Sequence, residues 1–168
     1  MPKVFIIAVQ TADGFVAKDK SHSPFLWSSK EDKKRFIDIT KRAGVVVMGA
    51  ETFKTFPKPL ADRVNIVYSR SQNFEGVEMT QDDPVTLIKN LGDRGFKEVA
   101  ICGGSSIYSL FMKAGVVDTL YLTIEPIVFG KGISLFNDDV DYKLELISEE
   151  KTANGTLLLE YRVKKYPN

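Results

Sequence analysis

A chain of 168 residues, 43% hydrophobic and 27% charged, has the make-up of an ordinary globular domain, which excludes intrinsic disorder and fibrous architectures. Folding at this length removes roughly 70% of the unfolded surface from water, so no disulfide or structural metal is required. The 23 Lys plus Arg against 22 Asp plus Glu leave a formal net charge of +1, which provides no long-range attraction to nucleic acid or to an anionic membrane.

The single cysteine, Cys102, and the single histidine, His22, exclude an internal disulfide and a Cys/His zinc set. The apolar run near the N-terminus is too short for a signal peptide. No segment approaches the roughly 20 apolar residues of a membrane span. A cytoplasmic protein with small-molecule partners, no metal and no nucleic acid is expected.

Taken in chain order, Val4 to Val9 predicts the first strand. Ser28 with Glu31 three residues on reads as a capping box, and Asp32, Phe36, Ile39, Thr40 and Ala43 recur at helical spacing until Gly44 ends the helix. Val45 to Met48, Val64 to Tyr68 and Val99 to Cys102 predict further strands covered on both faces. Helices are predicted from Asp83-Pro84 to Leu91 and from about Ser105 to Lys113. After Asp118 the pattern alternates over Thr119 to Glu125. Lys143 to Ser148 and Thr156 to Lys164 then pair around Asn154-Gly155, a hairpin turn signal. These elements predict one α/β domain over residues 1–168, with a mixed, mostly parallel sheet, helices on both faces and a C-terminal antiparallel hairpin. Its ligand crevice should lie at the carboxyl ends of the parallel strands.

Within this frame Asp32 shares the helix stripe of Phe36, Ile39 and Ala43. Burial there would raise its pKa and let it relay a proton near neutral pH; a first-turn aspartate complementing the helix dipole fits the same position. Cys102-Gly103-Gly104-Ser105-Ser106 joins a strand to a helix, where glycines let the backbone approach a phosphate and free amides point at it; a plain tight turn uses Gly-Gly too. Gly49-Ala50-Glu51-Thr52 repeats the arrangement, so two such turns suit a pyrophosphate-containing cofactor. Ser69-Arg70 could grip a further phosphate or be solvated surface. Arg63 enters a strand from the loop Pro59-Leu60-Ala61-Asp62, where a fixed guanidinium can fork onto a carboxylate or pair with Asp62. Trp27, Phe53, Phe56, Phe136 and Tyr108 read as core residues and His22 as loop surface.

Together these segments resemble the dihydrofolate reductase family over nearly the whole chain. The carrying segments are Thr11-Ala12-Asp13-Gly14-Phe15-Val16-Ala17, Trp27-x4-Asp32-x3-Phe36-x3-Thr40 and Val47-Met48-Gly49-x2-Thr52-Phe53. They continue with Pro59-Leu60-x2-Arg63-x-Asn65-Ile66-Val67-x-Ser69-Arg70, Gly103-Gly104-x2-Ile107-Tyr108 and Leu120-Tyr121-Leu122-Thr123. The resemblance implies a three-layer sandwich fold and hydride transfer from NADPH to dihydrofolate, the protein supplying orientation and one acid.

By position it implies that Asp32, bonded to Thr123, promotes protonation of the pteridine and that Arg63 holds the substrate's glutamate carboxylate. Phe36, Phe56 and Leu60 would line the ring slot, and Ile7, Ala8 and Tyr108 would border the nicotinamide. Gly49, Thr52, Ser69, Arg70, Cys102, Gly103, Gly104, Ser105 and Ser106 would hold the rest of the cofactor. Ala50 stands where many members carry an arginine, Lys33 where most carry an apolar residue, and Lys18 to Leu26 is longer and more polar than in compact relatives. The stretch Ile124 to Phe136 looks more like the sister reductases of riboflavin biosynthesis. These act on a ribosylaminopyrimidine phosphate, share the fold and NADPH, and tend to pair, whereas folate enzymes are often monomers. The state expected is therefore monomer or homodimer.

Overall fold

Uncharged runs of Val, Ile and Met form the central strands because alternate side chains of each strand enter two separate cores, one on either face of the sheet. The computed structural model of the chain describes residues 1–165; the last three positions of the expected domain lie outside the described residues. The elements are β1 (Lys3–Thr11), β2 (Phe15–Ala17), a 3₁₀ turn (Pro24–Leu26), α1 (Lys30–Ala43), β3 (Val45–Gly49), α2 (Ala50–Phe53), β4 (Val64–Tyr68) and β5 (Glu78–Thr80). They continue with α3 (Pro84–Asp93), β6 (Glu98–Ile101), α4 (Ser105–Lys113), β7 (Thr119–Glu125), β8 (Ile133–Ser134), β9 (Leu144–Lys151) and β10 (Leu157–Val163).

An eight-stranded sheet runs in the order β5-β4-β3-β6-β1-β7-β10-β9. All neighbours from β5 to β7 are parallel, and β10 lies antiparallel between β7 and β9. On one face Val4, Ile6, Val47 and Ile101 pack with Ile88 and Leu91 of α3 and with Ile107 and Phe111 of α4. On the other, Phe5, Ile7, Val46 and Met48 pack with Ala43, Phe36 and Ile39 of α1 and with Phe53 of α2. The result is the expected three-layer α/β sandwich.

Local chemistry sets most element ends. Asp83 caps α3 by accepting from the Thr86 amide at 3.1 Å, with Pro84 in the first turn. Gly44, at φ 74°, ends α1 and returns its amide to the Thr40 carbonyl. The cap of α1 differs from the sequence expectation: it is Ser29, not Ser28, whose hydroxyl accepts from the Asp32 amide at 3.1 Å. The reason is tertiary, since the Ser29 amide is itself held by Glu125, 96 residues away. The hairpin also forms a wider turn than a two-residue loop. Gly155, at φ 87°, donates to the Thr152 carbonyl, and Thr152 donates to the Thr156 carbonyl, a type I turn closed by a glycine bulge. The short strands β2, β5 and β8 carry no pattern that the sequence reading resolved. Of these, β2 and β8 pair with each other in a separate ribbon, where Gly132 leaves no room for a side chain because a Cβ would lie 2.3 Å from the Ala17 carbonyl oxygen.

Candidate active site

A cavity of about 480 Å3 opens at the carboxyl ends of β1, β3 and β6, the region expected to hold the ligand crevice. Ile7 and Ala8 form its floor, Asp32 and Phe36 of α1 one wall, and Gly49 to Thr52 with Cys102 to Tyr108 the other. Phe25 and Phe56 stand edge to face with ring centroids 5.3 Å apart, and Phe36 stacks on Phe56 at 6.4 Å. The wall is thus mainly apolar with few polar groups, as suits an organic ring system.

Asp32 is the buried acid of this cavity, only 7% exposed. Its position follows from the helix stripe, one turn before Phe36, and from Thr123 of β7, which is 1% exposed and hydrogen bonds its carboxyl. Burial, the largest influence, pushes the Asp32 pKa up, and the like charge of Glu125 adds to it. The Thr123 bond, the Arg35 guanidinium and the Ser28 hydroxyl oppose the rise without cancelling it. The carboxyl therefore keeps its proton to higher pH than an ordinary aspartate. Arg35 itself is spent on backbone, donating from Nη2 to the Leu159 carbonyl at 2.7 Å, while its guanidinium lies 5.3 Å from the Tyr121 ring.

Across the cavity, two strand-to-helix turns lock together. The Gly49 amide donates to the Gly103 carbonyl at 2.8 Å, so Gly49 serves the contact between the turns. Gly103 adopts φ 118°, and the Gly103–Gly104 peptide is cis. A Cβ on Gly103 would lie 3.3 Å from the Tyr108 hydroxyl, and one on Gly104 would lie 3.2 Å from Thr52 Oγ1. No side chain caps α4 at Gly104, which leaves first-turn amides for an outside acceptor. Tyr108 donates to the Ile7 carbonyl at 2.8 Å, fixing α4 to β1 at the cavity floor. The Cys102 thiol is buried, and burial pushes its pKa well up, so it stays protonated.

Other sequence-predicted residues lie off the cavity wall. Arg63 donates from Nε to the Ala61 carbonyl and from Nη1 to Thr40 Oγ1, both at 2.8 Å, while its neighbour Asp62 pairs instead with Lys41 at 3.3 Å. Thr40 lies one helical turn beyond Phe36 and donates to its carbonyl. The guanidinium therefore sits one turn along from the aromatic wall, with Nη2 free of any partner among the described residues. Asn65 shapes this loop: its Oδ1 accepts from the Leu60 amide, and its Nδ2 donates to the Leu60 and Arg63 carbonyls, each at 2.9 Å. Leu60 packs against the α1-side core. Ser69 and Arg70 follow β4, beside the end of β3; Ser69 accepts from the Gln72 amide, and Arg70 is exposed.

Several wall residues were not legible as such. His22, expected as loop surface, lines the cavity and stacks on Trp27 with centroids 6.4 Å apart. Asp19, Lys20, Pro24 and Phe25 join it, so the polar Lys18 to Leu26 segment forms part of the wall. The Ile124 to Phe136 stretch packs beside it: Lys18 lies 5.2 Å over the Phe129 ring, and upstream of the segment Asp13 accepts from the Phe129 and Gly130 amides at 3.1 and 2.7 Å. Lys33 also lines the cavity.

Fold and site together define a small α/β protein with a mainly apolar cavity between a Gly-Gly turn and a buried carboxyl. The family model described as dihydrofolate reductase matches residues 3–159, and the chain belongs to that family of oxidoreductases. The Bacillus subtilis protein YwjB, whose function is uncharacterised, is 29% identical over 150 residues, covering 80% of this chain and 82% of its own. The structure of a pyrimidine reductase-like protein from Corynebacterium diphtheriae superimposes with a TM-score of 0.81 at 21% identity, covering 98% of this chain and 93% of that one. A dihydrofolate reductase from Enterococcus faecalis, solved with NADP(H) and RAB-propyl, superimposes with a TM-score of 0.76 at 24% identity, covering 97% of each chain. Among the described residues, no helix is long and apolar enough to cross a membrane.

Proposed function

We propose that the chain reduces 7,8-dihydrofolate to 5,6,7,8-tetrahydrofolate with NADPH, Asp32 supplying the acid assistance. The observation that carries this reading is the Asp32 carboxyl, buried on the wall of an apolar cavity, bonded to Thr123 and kept protonated to raised pH. The residues present suit the cofactor. Gly103 and Gly104 let the turn pack closely on Tyr108 and Thr52 at the cavity wall, and the uncapped start of α4 offers amides from Ser105 and Ser106.

Bound there, the cofactor supplies the hydride. Gly49, Thr52, Cys102, Gly103, Gly104, Ser105 and Ser106 would hold it along the cavity, with Ser69 and Arg70 beyond β4 for its outer phosphate. Ile7, Ala8 and Tyr108 would border the nicotinamide. Phe36, Phe56 and Leu60 orient the substrate rings and exclude water, and the free edge of Arg63 holds the glutamate carboxylate. Asp32 hydrogen bonds the pteridine and promotes protonation of the ring nitrogen next to the carbon that receives hydride. Each turnover takes up one proton, which the carboxyl replenishes from solvent.

A second reading, reduction of a ribosylaminopyrimidine phosphate or another small heterocycle, draws on Lys20 and Lys33. Both line the cavity and neither has an ion-pair partner among the described residues, whereas Glu51 on the same wall is paired with Lys54 at 3.0 Å. Loss of NADPH absorbance with each substrate separates the two. Turnover of dihydrofolate alone supports the first reading, and turnover of the pyrimidine alone overturns it.

A further inference from the structure

Glu125 is a buried carboxylate that neither the cavity nor the proposed chemistry uses. It is 3% exposed, on the same face of β7 as Thr123 two residues earlier. Each carboxylate oxygen has a partner: Oε1 accepts from the Ser29 amide at 2.9 Å and Oε2 from Thr156 Oγ1 at 2.7 Å. Ser29 is the cap of α1, and its hydroxyl in turn accepts from the Asp32 amide. The first turn of α1 is therefore fastened to β7 twice, through Glu125 to Ser29 and through Thr123 to Asp32. No lysine or arginine among the described residues forms an ion pair with Glu125. Its charge rests instead on the positive end of α1.

We propose that Glu125 is a positioning residue for the reaction, clamping the cap of α1 onto β7 so that Asp32 stays on the cavity wall and placing an unpaired negative charge beside it. The inference rests on the reading of Asp32 as the acid.

Lys33 on α1, Asp19, Lys20 and His22 of the loop before it and Glu51 of α2 share the cavity with Asp32, and the groups that act on its carboxyl most directly are on α1 and β7. Arg35 on α1 favours its ionised form, Glu125 on β7 opposes it, and the Tyr108 phenol on α4 is held un-ionised by burial. Arg35 is itself faced by Glu150 and Glu160 from the hairpin. Removing the Glu125 charge leaves Arg35 without that opposition and lets Asp32 ionise at lower pH.

The test compares Glu125→Gln with Glu125→Ala in the full chain. Gln can accept from the Ser29 amide and donate to Thr156, so it keeps the clamp and removes the charge. Expected for Glu125→Gln is an alkaline limb of kcat/KM moved to lower pH, with turnover on that limb reduced roughly three- to tenfold and turnover on the acid side of it close to wild type. Expected for Glu125→Ala is lower turnover at every pH, recovered in part by Gln. Superimposable pH profiles for wild type and Glu125→Gln overturn the electrostatic role, and wild-type turnover in Glu125→Ala overturns the clamp. Carbon-13 NMR of the Asp32 carboxyl, assigned by its absence from Asp32→Asn, reads the same titration without substrate. A lower midpoint in Glu125→Gln supports the electrostatic role even for a wild type inactive on dihydrofolate, and an unchanged midpoint refutes that role.

Discussion

Replacing Asp32 by Asn removes the transferable proton while keeping size, shape and an oxygen to accept from Thr123. Positioned acid catalysis contributes roughly 10²- to 10⁴-fold, equal to about 2.7–5.4 kcal/mol at 1.36 kcal/mol per decade. The hydride step at neutral pH should fall by that factor. Single-turnover measurement of NADPH consumption isolates this step from product release, which sets many steady-state rates. The pH profile adds a second readout. Wild-type rate should decline as pH rises through the elevated pKa of Asp32, and the variant should show no such decline.

The same substitution carries a stability signature of opposite sense. Because folding raises the pKa of Asp32, its contribution to stability is complete below the ordinary carboxylate value of about 3.9 and is lost as pH rises through the folded-state value. Each tenfold weakening of its acidity corresponds to about 1.4 kcal/mol. The melting temperature of Asp32→Asn relative to wild type should therefore increase between pH 4 and pH 8. Unchanged single-turnover rate, or a melting difference independent of pH, would refute the assignment of Asp32 as a buried acid.

Three further substitutions probe the rest of the site. Arg63→Ala should weaken dihydrofolate binding by about 1.5–3 kcal/mol, the worth of a charged hydrogen bond, and leave NADPH affinity unchanged by fluorescence titration; equal damage to both ligands contradicts the role. Lys33→Met should alter the KM for dihydrofolate by less than about threefold, since Arg63 is the cation assigned to the glutamate carboxylate, and a tenfold rise would move the anion-binding role from Arg63 to Lys33. Gly103→Ala forces a side chain into φ 118° within 3.3 Å of the Tyr108 hydroxyl, so thermal melts should show a loss of roughly 1–3 kcal/mol. NADPH affinity should fall more than dihydrofolate affinity in that variant, and intact cofactor binding would remove the turn from the cofactor site.

Much of this molecule was decided by near neighbours in the chain. The Val-rich runs define the central strands, Gly44 ends α1, Asp83-Pro84 starts α3 and Asn154-Gly155 turns the hairpin, because each signal acts within a few residues. The helical stripe also marked Asp32 as facing the core, and the quoted segments carried the family. Spacing could not choose between a proton-holding acid and a helix-dipole partner, since the pKa depends on what covers the carboxyl. Thr123 and Glu125 lie more than 90 residues away in sequence and supply that cover. The same holds for the choice of Ser29 over Ser28 as cap, for the grip of Thr40 on Arg63, and for the placing of polar His22 on the cavity wall. Periodicity reports which side of an element is buried; only the assembled sheet determines which groups meet there, and electrostatics between buried groups depends on that meeting.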